Sequence, residues 1–316
     1  MRPVKETLVS RRPTLAEFQP TVRIEYLKET APHCAGPIPG KERQAAMAER
    51  LLEGKTALVT GAGRGLGRAF AERLAALGAR VGVHGFREHG PAEYGEGTTL
   101  TETAAEIARE FRTSTVRVLG DLTRSEDVQR VVSETQASLG PIDILVHNAG
   151  GDIAAAGGKP NPNDAVFIKQ EDVRAVLDRN LMSTILICQA TAPGMMERRQ
   201  GRILTISSIS AFAGTANSAI YATAKAGVVE YTRCLALQLR EYNVNVNSLA
   251  PGDTRTGRFL GTRHVDPERL ATEGTLKRVA LVDEVARVVE FFAGPLGAFV
   301  TGQALRVDGG SQCWPS

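Results

Sequence analysis

The chain has 316 residues, 42% of them hydrophobic and 23% charged, which is enough for one large α/β domain with a buried core. Its formal net charge is only +3, from 38 Lys and Arg against 35 Asp and Glu. Charges balanced this evenly exclude an electrostatic argument for nucleic acid or a membrane surface as the main partner. No apolar run is long enough to cross a bilayer, so we expect no transmembrane span.

The first residues lack the apolar stretch of a secretory signal, and the four cysteines form no C-x-x-C pair. Cysteines spaced this widely are no zinc framework, and their use is compatible with a reducing compartment. We therefore expect a cytoplasmic protein without a metal site.

Residues 1–53 differ in character from the rest and are predicted to be an N-terminal extension. They contain a Pro/Gly cluster, PHCAGPIPG, which should break regular structure, and a short helix is predicted over Lys41–Leu52. Two interpretations stay open. The extension is an arm that packs on a neighbouring subunit, or the true start is Met47, which opens a natural beginning for the following domain.

Residues 54–316 alternate apolar strands with amphipathic helices. The predicted strands are Thr56–Thr60, Ala79–Gly85, Ser114–Asp121, Ile142–Gly150, Gly201–Ser208, Asn243–Gly252 and Ala304–Gly310. This pattern predicts a single doubly wound α/β domain, a parallel seven-stranded sheet with helices on both faces. Loops Glu88–Thr99 and Gly151–Asn163 follow strands two and four, at the end of the sheet where ligands bind in such folds.

A glycine-rich turn joins the first strand to a helix. It reads Thr60-Gly61-Ala62-Gly63-Arg64-Gly65-Leu66-Gly67. Glycines let a backbone turn tightly and approach a pyrophosphate, and the helix N-terminus supplies free N–H groups and partial positive charge. The turn is therefore a candidate cofactor-binding site, formed by Gly61, Arg64, Gly65, Leu66 and Gly67.

A tyrosine and a lysine lie four residues apart in a predicted helix, as Tyr221 and Lys225. This spacing places them on one helix face. A free tyrosine has a pKa of about 10, and a nearby ammonium would lower that pKa toward the range useful for proton transfer. Such pairs are common in ordinary helices, but Ser208 lies thirteen residues earlier at a strand end, and the three together indicate a catalytic site.

These motifs resemble the short-chain dehydrogenase/reductase family, in its most common branch, over about Leu52 to Gly310. The resemblance rests on an ordered set that also includes Asp121-Leu122, Asn148-Ala149-Gly150, Asn180, Pro251-Gly252 and Val300-Thr301-Gly302-Gln303. It implies an NAD(P)-dependent oxidoreductase acting on a carbonyl or secondary alcohol, similar to 3-oxoacyl-[acyl-carrier-protein] reductases and secondary-alcohol dehydrogenases. The alternative is a non-catalytic dinucleotide-binding regulator on the same fold. A lyase or epimerase would belong to a branch with a different glycine spacing.

The resemblance implies a role for each catalytic candidate. Tyr221 would exchange a proton with the substrate oxygen, and Ser208 would hydrogen-bond that oxygen, with Ser207 as the fallback. Lys225 would lower the Tyr221 pKa and hold the nicotinamide ribose. Asn180 would anchor a water chain that connects Lys225 with solvent.

The resemblance also implies the cofactor contacts. Besides the glycine turn, Tyr221 and Lys225, they are Asp121 and Leu122 at the adenine, Asn148, Ala149 and Gly150 beside the cofactor, Pro251 and Gly252, and Thr254 and Thr256 near the carboxamide. Strand two ends at Gly85, where NAD-dependent members carry an acidic residue. Arg64 and Arg87 could pair with a 2′-phosphate, which favours NADP(H), with NAD(H) as the alternative.

Other positions carry narrower expectations. His147 replaces an asparagine of the family motif and is expected to be a packed, hydrogen-bonded residue. Arg255, Arg258 and Arg263 are expected to face water, with binding of a carboxylate or phosphate as the alternative. The partner is a small-molecule carbonyl or alcohol, and the family resemblance implies a homotetramer or homodimer.

Overall fold

A seven-stranded parallel sheet forms the centre of the computed structural model, which describes residues 50–314. The strands are β1 Thr56–Thr60, β2 Arg80–Gly85, β3 Thr115–Leu119, β4 Ile144–His147, β5 Gly201–Ile206, β6 Val244–Pro251 and β7 Ala304–Val307. Their order is β3-β2-β1-β4-β5-β6-β7, and every neighbouring pair is parallel. The predicted doubly wound fold is confirmed, with each strand ending before the polar residues that follow it.

Helices connect the strands and cover both faces of the sheet. They are α1 Gly65–Ala76, α2 Leu100–Phe111, α3 Ser125–Leu139, α4 Gln170–Leu177, α5 Ser183–Arg198, α6 Ala219–Leu239, α7 Gly257–Thr262 and α8 Val282–Ala293. A π-helical turn, Asp178–Met182, joins α4 to α5, and a 3-10 turn, Gly90–Tyr94, lies in the loop after β2.

Two apolar cores lie on opposite faces of the sheet, because successive side chains of a strand point to opposite sides. Val59 packs with α1, α2 and α8, and its neighbour Leu58 packs with α3, α5 and α6. Phe70 and Leu74 of α1 are fully buried, as are Ile187 of α5 and Val131 of α3. Each such side chain contributes about 1.5–3 kcal/mol on burial, so both helix layers are held firmly against the sheet.

The strand order reverses between β1 and β4, which connect in opposite directions along the sheet. In open α/β sheets, ligands bind outside the carboxyl ends of the strands at this switch point. The glycine turn follows β1 and the Asn148–Gly150 motif follows β4, so the fold brings both to that place.

Leu52 belongs to the packed part of the chain that the structure describes. The Leu52 side chain is buried in the core, and its N–H donates to the carbonyl oxygen of Leu77 at 2.9 Å. The helix expected over Lys41–Leu52 falls outside the described residues except for its last three, which are not helical. In residues 50–314 no helix has the length and apolar character to cross a membrane.

Candidate active site

The glycine turn packs too closely for larger residues. Gly61 and Gly65 have positive φ values of 64° and 54°, which L side chains rarely adopt. A Cβ on Gly67 would lie 2.0 Å from the carbonyl oxygen of Gly61, so α1 approaches the turn only because residue 67 has no side chain. The N-terminus of α1 therefore faces the cleft, where the Gly65 N–H donates to the Glu96 carboxylate at 2.5 Å.

His84 supports this turn from strand β2. The Gly61 N–H lies 3.2 Å from His84 Nδ1, and His84 Nε2 lies 3.1 Å from the carbonyl oxygen of Gly120. Burial lowers the pKa of His84 to about 4, so the ring is neutral, accepting at Nδ1 and donating at Nε2. Sequence analysis missed His84, because its partners come from distant parts of the chain.

The end of β4 is fastened to the end of β1. The Thr60 hydroxyl oxygen accepts from the N–H groups of Asn148 and Ala149, both at 3.0 Å. His147 Nδ1 lies 2.9 Å from that hydroxyl, and His147 Nε2 lies 3.2 Å from the Ser183 hydroxyl. Burial lowers the pKa of His147 to about 3. The packed, hydrogen-bonded role expected for His147 is confirmed.

Asn180 is fully buried in the π-helical turn and holds the loop after β4. Its side-chain nitrogen donates to the carbonyl oxygens of Gly151 and Val176, at 2.9 and 2.8 Å. Its side-chain oxygen accepts from the Gly151 N–H at 2.9 Å. A Cβ on Gly150 would lie 2.7 Å from that oxygen, so this approach requires glycine.

Ser208, Tyr221 and Lys225 converge at the end of β5. Tyr221 and Lys225 lie one turn apart on α6, with the Lys225 Nζ 5.7 Å from the centre of the Tyr221 ring. Lys225 is buried, and its Nζ donates to the carbonyl oxygen of Ile206 at 2.7 Å. The Ser207 hydroxyl instead donates to the carbonyl oxygen of Lys225 at 2.8 Å. Ser207 therefore has a structural partner, and Ser208 is the serine beside the phenol.

Burial governs the pKa values of this group. Desolvation raises the pKa of Tyr221, and hydrogen bonding to Ser208 opposes that rise. Desolvation also lowers the pKa of Lys225 to about 8. The expectation that the ammonium lowers the Tyr221 pKa is not met here, because burial of the phenol is the larger effect. At neutral pH the phenol is protonated, in the state of a general acid.

Nearly all candidate residues line one cleft of about 1000 Å³. Those that line it are Gly61, Arg64, Gly65, Leu66, Arg87, Asp121, Leu122, Asn148, Ala149, Gly150, Ser208, Tyr221, Lys225, Pro251, Gly252, Thr254 and Thr256. Gly67 and Asn180 lie behind this surface and shape it through the contacts described above.

The cleft also contains four charged residues that the sequence did not identify individually or placed differently. Glu93 and Glu96 belong to the loop after β2, and Asp152 follows β4. The Asp152 carboxylate accepts from the Asn163 amide and the Ser218 hydroxyl, both at 2.7 Å. Arg258 was expected to face water, which is wrong: it is half-buried on α7 and donates to the carbonyl oxygen of Asp152 at 3.2 Å. Spacing alone could not bring these loops together.

The cleft fits a nicotinamide dinucleotide. The glycine turn would hold a pyrophosphate through its backbone N–H groups, of which that of Gly65 is bound by the Glu96 carboxylate in this structure. Arg64 Nη1 is buried on the wall of the cleft with no hydrogen-bond partner among the described residues, so a polar group of the cofactor could pair with it. The residues that would hold the cofactor therefore form one continuous wall from the glycine turn to Lys225.

Comparison with known proteins identifies the family. A sequence model described as short chain dehydrogenase matches residues 55–264. The chain belongs to the short-chain dehydrogenase family. It is an NAD(P)-dependent oxidoreductase that transfers a hydride between a nicotinamide cofactor and a carbonyl or secondary alcohol. The alternative of a non-catalytic regulator is not favoured, because the relatives are named dehydrogenases and reductases.

Two curated relatives and one solved structure show the range of similar proteins. A cyclohexanol dehydrogenase of Rhodococcus sp. (strain TK6) is 37% identical over 268 residues, covering 82% of this chain and 96% of the relative. A 3-oxoacyl-[acyl-carrier-protein] reductase of Vibrio cholerae is 34% identical over 262 residues, covering 82% and 98%. A 7α-hydroxysteroid dehydrogenase, solved with NADH and 7-oxo glycochenodeoxycholic acid, has a TM-score of 0.70 and 28% identity, covering 83% and 96%.

Proposed function

We propose that Tyr221 is the acid/base of this oxidoreductase and that Ser208 hydrogen-bonds the reacting oxygen of the substrate. Lys225 holds the ribose and supplies positive charge beneath the phenol, and Asn180 positions the loop that covers this end of the cofactor. The observation that carries the proposal is the convergence of Ser208, Tyr221 and Lys225 at the end of β5, on the wall of the cleft. A water chain between Lys225 and solvent, expected at Asn180, stays part of the proposal.

The chain's own residues manage the proton and the developing charge. When bound, the nicotinamide supplies or accepts the hydride. In the reductive direction, the protonated Tyr221 phenol donates a proton to the substrate oxygen as that oxygen gains negative charge. The Ser208 hydroxyl donates a hydrogen bond to the same oxygen, and the Lys225 ammonium stabilises the phenolate left behind. The oxidative direction reverses these transfers.

We propose a ketone or secondary alcohol as the substrate class, on the basis of the names of similar proteins. Cyclohexanone, a 3-oxoacyl thioester and a 7-oxo bile acid represent the three names above. The test is to assay each compound with NADPH and with NADH. Turnover of any one with cofactor oxidation supports the proposal. Binding of cofactor without turnover of carbonyl compounds of any size would favour the regulator instead.

We propose NADP(H) as the preferred cofactor. Gly85 ends β2 with no carboxylate to bind a ribose hydroxyl or repel a 2′-phosphate, and a Cβ there would lie 2.8 Å from Leu100 Cδ2. Arg64 and Arg87 approach the same carboxylate, that of Glu93, with nitrogen–oxygen distances of 3.0 and 3.9 Å. The two guanidinium groups thus meet at one point where an anion can lie.

Replacement of Arg87 by alanine tests this preference. Arg87 is largely exposed, so its loss should leave folding unchanged. We expect KM for NADPH to rise about tenfold, as for the loss of about 1.4 kcal/mol of binding, with KM for NADH within twofold of the wild type. Arg124→Ala, an exposed arginine before α3, is the control. An unchanged KM for NADPH would remove Arg87 from the site.

We further propose a cytoplasmic homotetramer or homodimer whose catalytic domain comprises residues 54–316. Four large apolar side chains support association, because they are exposed by 41–103% in the single chain. They are Met182, Leu237, Phe299 and Leu305. Large apolar side chains that are this exposed and lie together on a surface indicate contact with another subunit. Light scattering after gel filtration should give two or four times the 33.8 kDa chain mass, and a monomer would contradict this assembly.

A further inference from the structure

The segment between β2 and α2, Phe86–Thr99, is called here the β2–α2 segment. It lies across the cofactor cleft and carries two glutamates that the mechanism does not use, Glu93 and Glu96. Both side chains reach groups that the proposed cofactor would need for its own phosphates. The contacts are made by different glutamates on different parts of the cleft, so they can be tested separately.

Glu96 lies on the pyrophosphate-binding position. Its carboxylate accepts from the N–H of Gly65, the first residue of α1, at 2.5 Å, and also from the N–H of Gly257. Helix α1 has no acidic residue in its own first turn, so Glu96 supplies the negative charge that this helix N-terminus favours. A pyrophosphate that binds the Gly65 N–H would therefore compete with the carboxylate already bound to it.

The Glu93 carboxylate pairs with the two arginines that are expected to bind a 2′-phosphate, Arg64 and Arg87. Its carboxylate is 3.0 Å from Arg64 and 3.9 Å from Arg87, and the Arg64 guanidinium also stacks 4.5 Å from the centre of the Tyr94 ring. A 2′-phosphate would have to replace this carboxylate, since two anions at one point repel each other. Glu93 is half exposed and can leave without unpacking the core.

We infer that the β2–α2 segment imitates the phosphates of the cofactor and must move away before the cofactor binds. Glu96 competes with the pyrophosphate of any nicotinamide dinucleotide, and Glu93 competes with the 2′-phosphate of NADP(H) alone. The two carboxylates therefore set overall affinity and cofactor preference separately. This inference rests on the proposed function, because it takes the cleft to be the dinucleotide site.

The β2–α2 segment also contacts helix α7, on the substrate side of the cleft. Glu96 joins the glycine turn to Gly257, the first residue of α7, and a Cβ on Gly257 would lie 3.0 Å from Tyr94 Cβ. Helix α7 carries Arg258, which reaches the loop at Asp152. Departure of Glu96 thus breaks this hydrogen bond between α7 and the β2–α2 segment before the cofactor binds.

The test is calorimetric binding of NAD⁺, NADP⁺ and adenosine 2′-monophosphate to the wild type and to Glu93→Gln and Glu96→Gln variants. If the closed segment leaves about a tenth of molecules open, its release tightens apparent binding about tenfold. We expect Glu96→Gln to bind both dinucleotides about tenfold more tightly, with adenosine 2′-monophosphate unchanged. We expect Glu93→Gln to bind NADP⁺ and adenosine 2′-monophosphate more tightly, with NAD⁺ unchanged.

Glu102→Gln is the matched control, because Glu102 is exposed at the start of α2 and its side chain makes no ion pair or hydrogen bond within residues 50–314. It should bind all three ligands as the wild type does. Circular dichroism checks that each variant is folded. Unchanged or weaker dinucleotide binding by Glu96→Gln, with a wild type that binds, overturns the inference and leaves the proposed function standing. No dinucleotide binding by any folded protein overturns both.

Discussion

Replacement of Tyr221 by phenylalanine is expected to lower kcat by about 10²–10⁴-fold in either direction, the range for loss of a positioned acid/base. The ring remains, so its packing and the 5.7 Å approach of Lys225 are retained, and only the proton-exchanging hydroxyl is removed. Cofactor affinity should stay within a few-fold of the wild type. Steady-state kinetics with a ketone and NADPH, together with calorimetric cofactor binding, measure both quantities.

Tyr231→Phe is the matched control for this substitution. Tyr231 lies on the same helix and packs against the apolar core shared by α3, α5 and α6, where burial keeps its pKa well above the usual range. The control should retain kcat within about twofold. Loss of activity in both variants would indicate disturbance of α6, and full activity in Tyr221→Phe would remove Tyr221 from the chemistry.

Replacement of Lys225 by methionine is expected to lower kcat/KM by about 10²–10³-fold, as when one preorganised charge-stabilising donor is lost. The ammonium is buried beside the phenol and donates to the Ile206 carbonyl, so it supplies charge in a place that water does not reach. In the wild type, the reductive rate should fall as pH rises through about 8, where Lys225 loses its proton. The pH profile of Lys225→Met should not show this fall in rate.

The same substitution has a separate signature in stability. Because the folded-state pKa of Lys225 is about 8 against an ordinary value of 10.5, the unfolded chain binds more protons between these pH values. Burial of the charged lysine therefore lowers the free energy of unfolding below pH 8, and this loss disappears as pH rises toward 10.5. The unfolding free energy of the wild type, relative to Lys225→Met, should rise by about 2–3 kcal/mol across that window.

Urea denaturation at pH 7.5 and pH 10.5 measures this difference, because effects independent of pH cancel between the two conditions. Lys55→Met, at the opposite end of β1, is the control and should show no comparable change. A difference between wild type and Lys225→Met that stays constant with pH would mean that the Lys225 pKa is not depressed.

The sequence alone was sufficient to predict the sheet, because the patterns that indicate strands and helices are local. Apolar runs such as Thr56–Thr60, followed by glycine, mark the strands, and the i, i+4 spacing of Tyr221 and Lys225 places both on one helix face. Parallel strands then meet at one edge whatever the length of the connections. For that reason, residues after β1, β4 and β5 were predicted together, and they line a single cleft.

The rest of the site depends on contacts between distant segments. Glu96 reaches Gly257 across 161 positions of sequence, and His84 joins two turns from a third strand. The sequence also did not predict the protonation state of Tyr221. The spacing shows the neighbouring lysine, but it does not show the burial that raises the pKa of the phenol. Loop conformation and desolvation, rather than motif identity, account for these differences.

Isotope transfer tests the central claim most directly, since the claim is hydride movement between a nicotinamide and a carbonyl carbon. The enzyme would be supplied with NADPH carrying deuterium at C4, in separate 4R and 4S forms, and with cyclohexanone or whichever ketone the assays identify. Mass spectrometry of the alcohol should find deuterium on the carbinol carbon from one of the two forms only. Alcohol formed with no deuterium from either form would contradict the account.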